Sequence, residues 1–225
     1  MSVSPRKVWL SWSTGKDSAW ALQCLNQDAT VEVAGLFTTV NGHFERTAMH
    51  GVRLALLRMQ AEACGLPLEV VQLPWPCSND RYETAMGGLI ERLHEQGAQA
   101  VAFGDLFLED VRAYRERQMT GSGLDLLFPL WGRATDVLAR EMIAGGLRAC
   151  LTCVDPRHLP ADFAGRAFDE HLLTDLPAAV DPCGENGEFH TFVHDGPMFR
   201  QALPVTRGRV VERDGFVFCD LLPQH

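Results

Sequence analysis

Six residues near the amino terminus, Ser13-Thr14-Gly15-Lys16-Asp17-Ser18, bring hydroxyls, a glycine, an amine and a carboxylate into one turn of chain. That mixture suits an anion. Ser13, Thr14 and Ser18 can donate hydroxyl hydrogen bonds, Gly15 lets backbone N–H groups approach closely, and Lys16 adds a full positive charge. The preceding run, Lys7 to Trp12, is apolar and strand-like, and the following run has helical periodicity. A turn between a buried strand and a helix aims free N–H groups and the positive end of the helix dipole at one point, which makes a phosphate site. The plainer alternative is a helix start that Asp17 or Ser18 merely caps.

A second constellation lies far downstream, in Gly184-Glu185-Asn186-Gly187-Glu188-Phe189-His190-Thr191. Two acids three positions apart flank Asn186-Gly187, so a tight turn is expected to aim both carboxylates the same way, toward Mg²⁺ or a hydrogen-bonding substrate group. Read alone, these residues also make an Asn-Gly hairpin with exposed glutamates. Gly104-Asp105 ends another strand-like run, where Asp105 either meets Mg²⁺, a ribose or a substrate group, or caps the next helix. Arg112, Arg115 and Arg117 alternate with Glu109, Asp110 and Glu116, the pattern of a solvated helix face from which one arginine can still reach a phosphate or carboxylate. His50 precedes a helical stretch, either near a nucleotide or as a cap, and Trp131 either closes a pocket or fills core.

The elements that must hold these groups alternate. Strand candidates at Lys7–Trp12, Val31–Thr38, Leu68–Leu73, Gln99–Phe103 and Leu126–Leu130 are separated by helical patterns near Asp17–Asn26, Gly51–Cys64, Asp80–Gln96 and Glu109–Met119. This syntax predicts an α/β fold with a Rossmann-like parallel sheet covered on both faces, whose ligands bind beyond the carboxyl ends of the strands. After Trp131 the pattern changes to a helix over 134–146, a strand over 147–154, a loop-rich stretch, and two strands joined at Asp214-Gly215. A smaller carboxy-terminal α+β domain over residues 133–225 is therefore expected beside the parallel-sheet domain of residues 1–132. No Pro-rich or Ser-rich linker separates them, so the two parts are expected to share an interface.

Composition excludes several classes. A net charge of −9 repels a phosphate backbone, so nucleic acid is not an expected partner. No run reaches the roughly 18 to 20 apolar residues of a membrane helix, and the first residues lack a signal-peptide pattern. A cytoplasmic protein without a membrane partner is expected. Seven cysteines, an odd number, fit reduced thiols rather than a disulfide framework. A symmetric homodimer is the default if the chain oligomerises.

Spacing narrows the phosphate site. No glycine stands before Gly15 at the distance that a G-x-x-x-x-G-K-[ST] loop requires, and no G-x-G-x-x-G follows this strand. What remains resembles the S-G-G-K-D-S signature of the PP-loop ATP pyrophosphatases. It departs at Thr14, where that pattern has glycine and where a Cβ is expected to narrow the pyrophosphate cradle. Together with His50 to Leu68, Phe103 to Gln118, Pro129 to Gly132 and Asp181 to Pro197, the chain looks like the diphthine ammonia ligase family over nearly its whole length. The G-E-x-G-E-F-x-T element, Gly184 to Thr191, is the most specific part.

The resemblance implies ATP and Mg²⁺ as cofactors, with Ser13 to Ser18, Phe37, Thr38, Gly104 and Asp105 on the nucleotide and Asp17 and Asp105 on the metal. The nucleotide is thereby implied on residues 1–132 and the acceptor on residues 133–225. It implies Lys16, Asp17, Glu185 and Glu188 in catalysis, and Glu185, Asn186, Gly187, Glu188 and Thr191 on the substrate side. In eukaryotic and archaeal relatives ATP activates a carboxylate on a modified histidine of elongation factor 2, and ammonia then displaces AMP. A bacterial member, which the chain resembles, implies a different acceptor, because bacteria lack that modification. Two alternatives stand beside this reading. PP-loop enzymes that thiolate tRNA can carry metal clusters, and Cys150, Cys153 and Cys183 are candidate ligands. Against that, strand positions three apart face opposite ways. A non-catalytic ATP or AMP sensor is the other alternative.

Overall fold

The computed structural model describes residues 4–41, 46–47 and 51–224. Chain order begins β1 (Arg6–Ser11), α1 (Lys16–Gln27), β2 (Val31–Asn41), β3 (Arg46–Thr47), α2 (Leu54–Cys64), β4 (Leu68–Leu73) and α3 (Asn79–Glu95). It continues with β5 (Ala100–Ala102), α4 (Glu109–Met119), β6 (Asp125–Leu127), α5 (Thr135–Ala144), β7 (Arg148–Val154) and α6 (Glu170–Asp175). Three strands close it: β8 (Phe189–Asp195), β9 (Val205–Arg213) and β10 (Phe216–Pro223).

Five strands run parallel in the order β4-β2-β1-β5-β6, and β3 adds a short antiparallel pairing to the end of β2. The central strands β1 and β5 are buried on both faces, as their unbroken apolar runs dictate. Val8, Leu10, Ala100 and Ala102 face a core shared with α1, α2 and α5, whereas Trp9 and Val101 face Leu89 and Leu93 of α3. The expected strand over Leu126–Leu130 stops at Leu127, because Pro129 has no N–H to continue a ladder and Trp131 N turns back onto Phe128 O.

The second sheet is antiparallel, in the order β8-β7-β10-β9. Its β9–β10 hairpin turns through Asp214 (φ 54°) and Gly215 (φ 80°), the paired positive φ values of a two-residue type I′ turn. The second sheet does not form a separate core. Leu151, Phe192 and Val193 belong to the same apolar cluster as Val8, Leu10 and Leu22, which locks the two sheets together. This packing brings β8 against the start of α1, with Val193 N donating to Thr14 O at 3.1 Å. Among the described residues no helix is long and apolar enough to cross a membrane.

Candidate active site

The Ser13–Ser18 turn is self-bracing. Ser18 Oγ donates to Gly15 O at 3.0 Å and lies 3.1 Å from Ser13 Oγ, while Ser13 N and Gly15 N lean on these hydroxyls at 3.3 and 3.4 Å. Thr14 adopts φ 76°, a conformation costly for a β-branched residue. That backbone accounts for a departure from expectation. Thr14 is fully buried, its hydroxyl has no hydrogen-bond partner, and it does not border the cavity, so its Cβ does not narrow the cradle. Its carbonyl is held by Gln60 Nε2 at 3.0 Å. The fully buried Gln60 also donates to Val193 O at 2.7 Å and accepts from Trp12 Nε1 at 2.8 Å, tying the turn to both sheets.

Lys16 is the centre of the arrangement. Its ammonium donates to Asp17 Oδ2 at 2.9 Å and to the carbonyl of Cys183, and it lies 5.5 and 5.7 Å from the ring centres of Phe189 and Phe168. Its backbone N–H donates to Thr191 Oγ1 at 3.0 Å. Burial pulls the lysine pKa down, but the negative groups around it, Asp17 first, outweigh burial and leave it above the usual value. Lys16 therefore stays charged. Burial also raises the Asp17 pKa against the opposing pull of Lys16.

The Asp181–Glu188 loop closes over this lysine. Asp181 accepts from Cys183 N, Glu185 N and the Thr135 hydroxyl, and Gly184 N returns to Asp181 O at 2.8 Å. Glu185 and Glu188 were expected to point the same way, and they do not. Glu185 lines the cavity and accepts from Leu106 N at 2.9 Å. Glu188 is buried and folds back, its Oε1 accepting from Asp181 N at 3.0 Å and Asn186 Nδ2 at 3.1 Å. The loop's own amides need an acceptor, and Glu188 supplies it. Asn186 and Gly187 also stay out of the cavity lining, with Gly187 (φ 87°) forming the turn.

The carboxyl groups differ accordingly. Burial is the largest influence on Glu185, and with Asp17 and Asp105 nearby its pKa is pushed up to about 7. For Glu188 burial acts upward but the hydrogen bonds from Asp181 and Asn186 prevail, leaving it below the ordinary value. His190 lines the cavity as a neutral imidazole, its pKa lowered to about 4 by burial and by Lys16.

These groups surround a cavity of about 240 Å³ at the carboxyl ends of β1 and β5, lined by Ser13, Lys16, Asp17, Ser18, Gly104, Asp105, Glu185 and Thr191 among others. An adjoining cavity of about 150 Å³ contains Phe37, Thr38, Tyr82 and Tyr114. Ser11, Ser13, Phe103 and Arg115 border both, so the two form one elongated cleft. Gly104 is needed for contact: a Cβ there would stand 2.9 Å from the Asp17 carbonyl carbon. Of the three arginines on α4, Arg115 reaches the cleft, 3.5 Å from Asp105 and over the Phe103 ring. Arg112 instead stacks on Phe128 and Trp131. Burial raises the Asp105 pKa, with Arg115 opposing. His50 lies outside the described residues.

Asp17 Oδ1 and Asp105 Oδ2 are buried without a hydrogen-bond partner and belong to the same cavity wall, with Arg115 Nε 3.5 Å from Asp105 Oδ2. Such oxygens fit Mg²⁺, which uses one or two carboxylates and completes its shell with water and phosphate. Among the described residues no group of three or more His, Cys, Asp or Glu side chains could hold a metal by itself. Cys150 and Cys153 lie buried in β7, and Cys183 sits beside Lys16 with its thiol pushed up to about 12 by burial.

Gln60 is the contributor that residue type alone does not single out as a site residue, and Arg115 is the one of the three α4 arginines that reaches the cleft. A glutamine in the middle of an apolar helical stretch was the available signal for Gln60.

Comparison with known proteins places both halves. The family model described as Diphthamide synthase N-terminal domain matches residues 6–126, and the one described as Diphthamide synthase C-terminal domain matches residues 134–220. The chain is 27% identical over 222 residues to a diphthine–ammonia ligase of Homo sapiens, covering 88% of this chain and 82% of that protein. A Danio rerio diphthine–ammonia ligase is 27% identical over 216 residues, covering 85% of this chain and 83% of that protein. A Schizosaccharomyces pombe diphthine–ammonia ligase is 30% identical over 127 residues, 55% of this chain, and the match spans only 21% of that longer protein.

Proposed function

This chain belongs to the diphthamide synthase family, and we propose on that premise that it is an ATP-dependent ligase that joins ammonia to an acceptor carboxylate with release of AMP and pyrophosphate. The observation that carries this reading is the meeting of two loops from different sheets around one charged lysine. The Ser13–Ser18 turn offers hydroxyls, N–H groups and a cation to a pyrophosphate, and the opposite wall offers Glu185 and Thr191 to an acceptor.

In this reading an acceptor carboxylate oxygen attacks the α-phosphorus as pyrophosphate leaves. Ammonia then attacks the activated carbonyl carbon, loses a proton, and AMP departs. Lys16 neutralises charge on the departing pyrophosphate, and the Ser13 and Ser18 hydroxyls hold its oxygens. Phe37 and Thr38 border the nucleoside end of the cleft. Arg115 spans the boundary between the two cavities, where it can orient a phosphate or ribose. Asp17 and Asp105 would hold Mg²⁺, which when bound supplies charge neutralisation to the phosphates. Glu185, titrating near neutrality inside the cavity, is placed to take the proton that ammonia gives up. Glu188 positions the loop that carries Glu185.

Calorimetric titration with a non-hydrolysable ATP analogue and Mg²⁺, run beside Ser13→Ala, tests the nucleotide half. Binding that weakens in the variant is the expected result; no binding by the unaltered chain overturns the reading. Screening carboxylic acids with ammonia for AMP and amide formation tests the acceptor half.

A further inference from the structure

The antiparallel sheet ends on β9, and among the described residues no strand pairs beyond it. Nine residues is long for an edge left open. Across the two-residue turn Arg213 and Phe216 stand opposite each other as the hydrogen-bonded pair that closes the hairpin, and the pairs alternate in kind from there. Val211, opposite Phe218, therefore turns its backbone toward β10, whereas the N–H and C=O groups of Val210 and Glu212 point outward. The ladder is regular from Arg213 back to Val210 and shifts register before Arg207. Along the regular part the apolar side chains are uncovered, Val210 at 55% and Val211 at 46% exposure.

The edge is also basic on an acidic chain. Arg207, Arg209 and Arg213 stand on β9 against the single Glu212, while the chain as a whole carries −9. Arg207 and Arg209 have no ion-pair partner among the described residues. Arg213 is 3.5 Å from the solvated Asp214, a weak pair, and 4.8 Å from the Phe218 ring centre. Arg209, Val211, Arg213 and Phe218 share one groove, so the open edge runs beside guanidinium groups and an aromatic ring.

These charges decide what can pair. A second copy that joined β9 to β9 about a two-fold axis would meet its own charge, and like charges directly opposite destabilise a sheet. A ladder centred on Arg209 sets that residue opposite itself, one centred on Val211 sets Arg209 opposite Arg213, and one centred on Glu212 sets it opposite itself. Centred on Val210, the ladder brings Arg207 of one strand level with Arg213 of the other. A nucleic-acid backbone is repelled by the net charge. An extended acidic segment completes the ladder and answers the arginines together.

We propose that the β9 edge takes an extended segment of another protein as a fifth strand, with acidic side chains opposite Arg209 and Arg213 and an apolar one opposite Val211. Main-chain bonds to Val210 and Glu212 supply affinity, and the arginines select the sequence. This docking is independent of the ligase reading, because no residue of β9 lines the nucleotide cleft.

The test uses the full chain and a fluorescein-labelled peptide carrying glutamate-threonine-valine-valine-glutamate, followed by anisotropy beside the same peptide with lysine for both glutamates. The glutamate peptide should bind about tenfold or more tightly than the lysine peptide, the scale of hydrogen bonds to charged groups. The double variant R209E/R213E, altered at exposed strand positions, should reverse that preference. Equal affinity for the two peptides overturns the charge match. Val210→Pro removes one outward N–H and spares the ladder with β10, so it should weaken the glutamate peptide about fivefold. In the unaltered chain, amide hydrogen exchange at Val210 and Glu212 should slow when that peptide is added; exchange unchanged at both overturns the strand pairing whatever the variants do. A dimer in sedimentation that Val210→Pro dissociates makes a second copy the occupant and overturns the proposal, as does a single-stranded oligonucleotide that binds as tightly as the glutamate peptide.

Discussion

The two loops that face each other across the cleft are built on opposite plans. The Ser13–Ser18 turn is mostly local: the Ser13 and Ser18 hydroxyls and the Ser13 and Gly15 amides bond within six residues, directly after a central strand, and the Lys16 amide alone of these reaches Thr191. The Asp181–Glu188 loop also bonds within itself, but it meets its target across 167 positions, where the Cys183 carbonyl receives the Lys16 ammonium. A turn that is contiguous can be read from its residues. A loop whose partner lies in another sheet needs the packing of both sheets before its side chains acquire a direction.

The largest expected effect comes from the group common to both. Lys16→Ala should lower pyrophosphate release by about 10²-fold or more, the usual size for removing one charge-stabilising donor; near-normal turnover in a pyrophosphate assay would break the comparison at its centre. Next is Gln60→Leu, which strands the Trp12 N–H in a buried place and takes a donor from the Val193 carbonyl and from the Thr14 carbonyl, the latter keeping the Val193 N–H. A loss of about 1–3 kcal/mol per orphaned group is the applicable scale, so a chemical denaturation midpoint should fall clearly, and an unchanged one would mean that the sheets do not depend on this link.

Glu185→Gln sharpens the contrast between the two glutamates through pH. A carboxyl raised from 4.5 to about 7 binds its proton more tightly in the folded chain, so it contributes stability at low pH that is lost as pH rises through that interval. The variant should flatten the melting temperature between those limits and remove an ionisation near neutrality from the pH profile of kcat/KM. Glu188→Gln should leave that ionisation in place. A profile unaltered by Glu185→Gln would remove Glu185 from proton transfer.

The smallest effect expected is from Thr14→Gly. It relieves a left-handed conformation that costs an L-residue about 1–2 kcal/mol, but it also frees the unfolded chain and removes buried packing. A gain of roughly 1 kcal/mol, or about 2–4 °C in Tm for a chain of this size, is the expected balance in a thermal melt. A fall of similar size would show that the Thr14 methyl group contributes more through packing than its backbone loses through strain.

What was legible in the sequence follows the same division. The parallel sheet was readable because strand and helix periods alternate, and α4 begins and ends at the expected Glu109 and Met119. β8 was not read as a strand. Phe189, Thr191, Phe192 and Val193 are all buried, because β8 lies between its own sheet and α1, so the simple period-two alternation is lost. β9 begins at Val205, ahead of the Val210-Val211 pair that marks it in the sequence, because Arg207, Gly208 and Arg209 interrupt the apolar signal. Residue type also could not separate Glu185 from Glu188: both are glutamates beside a glycine, and only the demand of Asp181 N–H distinguishes them. Gln60 carried a polar signal inside an apolar helix, but its three partners come from elements far apart in the chain.

The Lys16 ammonium has a limited set of directions in which to donate, and two of them are taken by Asp17 and the Cys183 carbonyl. If a bound pyrophosphate draws that ammonium toward itself, it loosens a bond that anchors the acceptor wall. Nucleotide and acceptor are then thermodynamically linked although they touch different loops. Reciprocity requires each to change the other's dissociation constant by the same factor, whichever is added first, and titrating each ligand in the presence of the other would measure the coupling that this single side chain transmits.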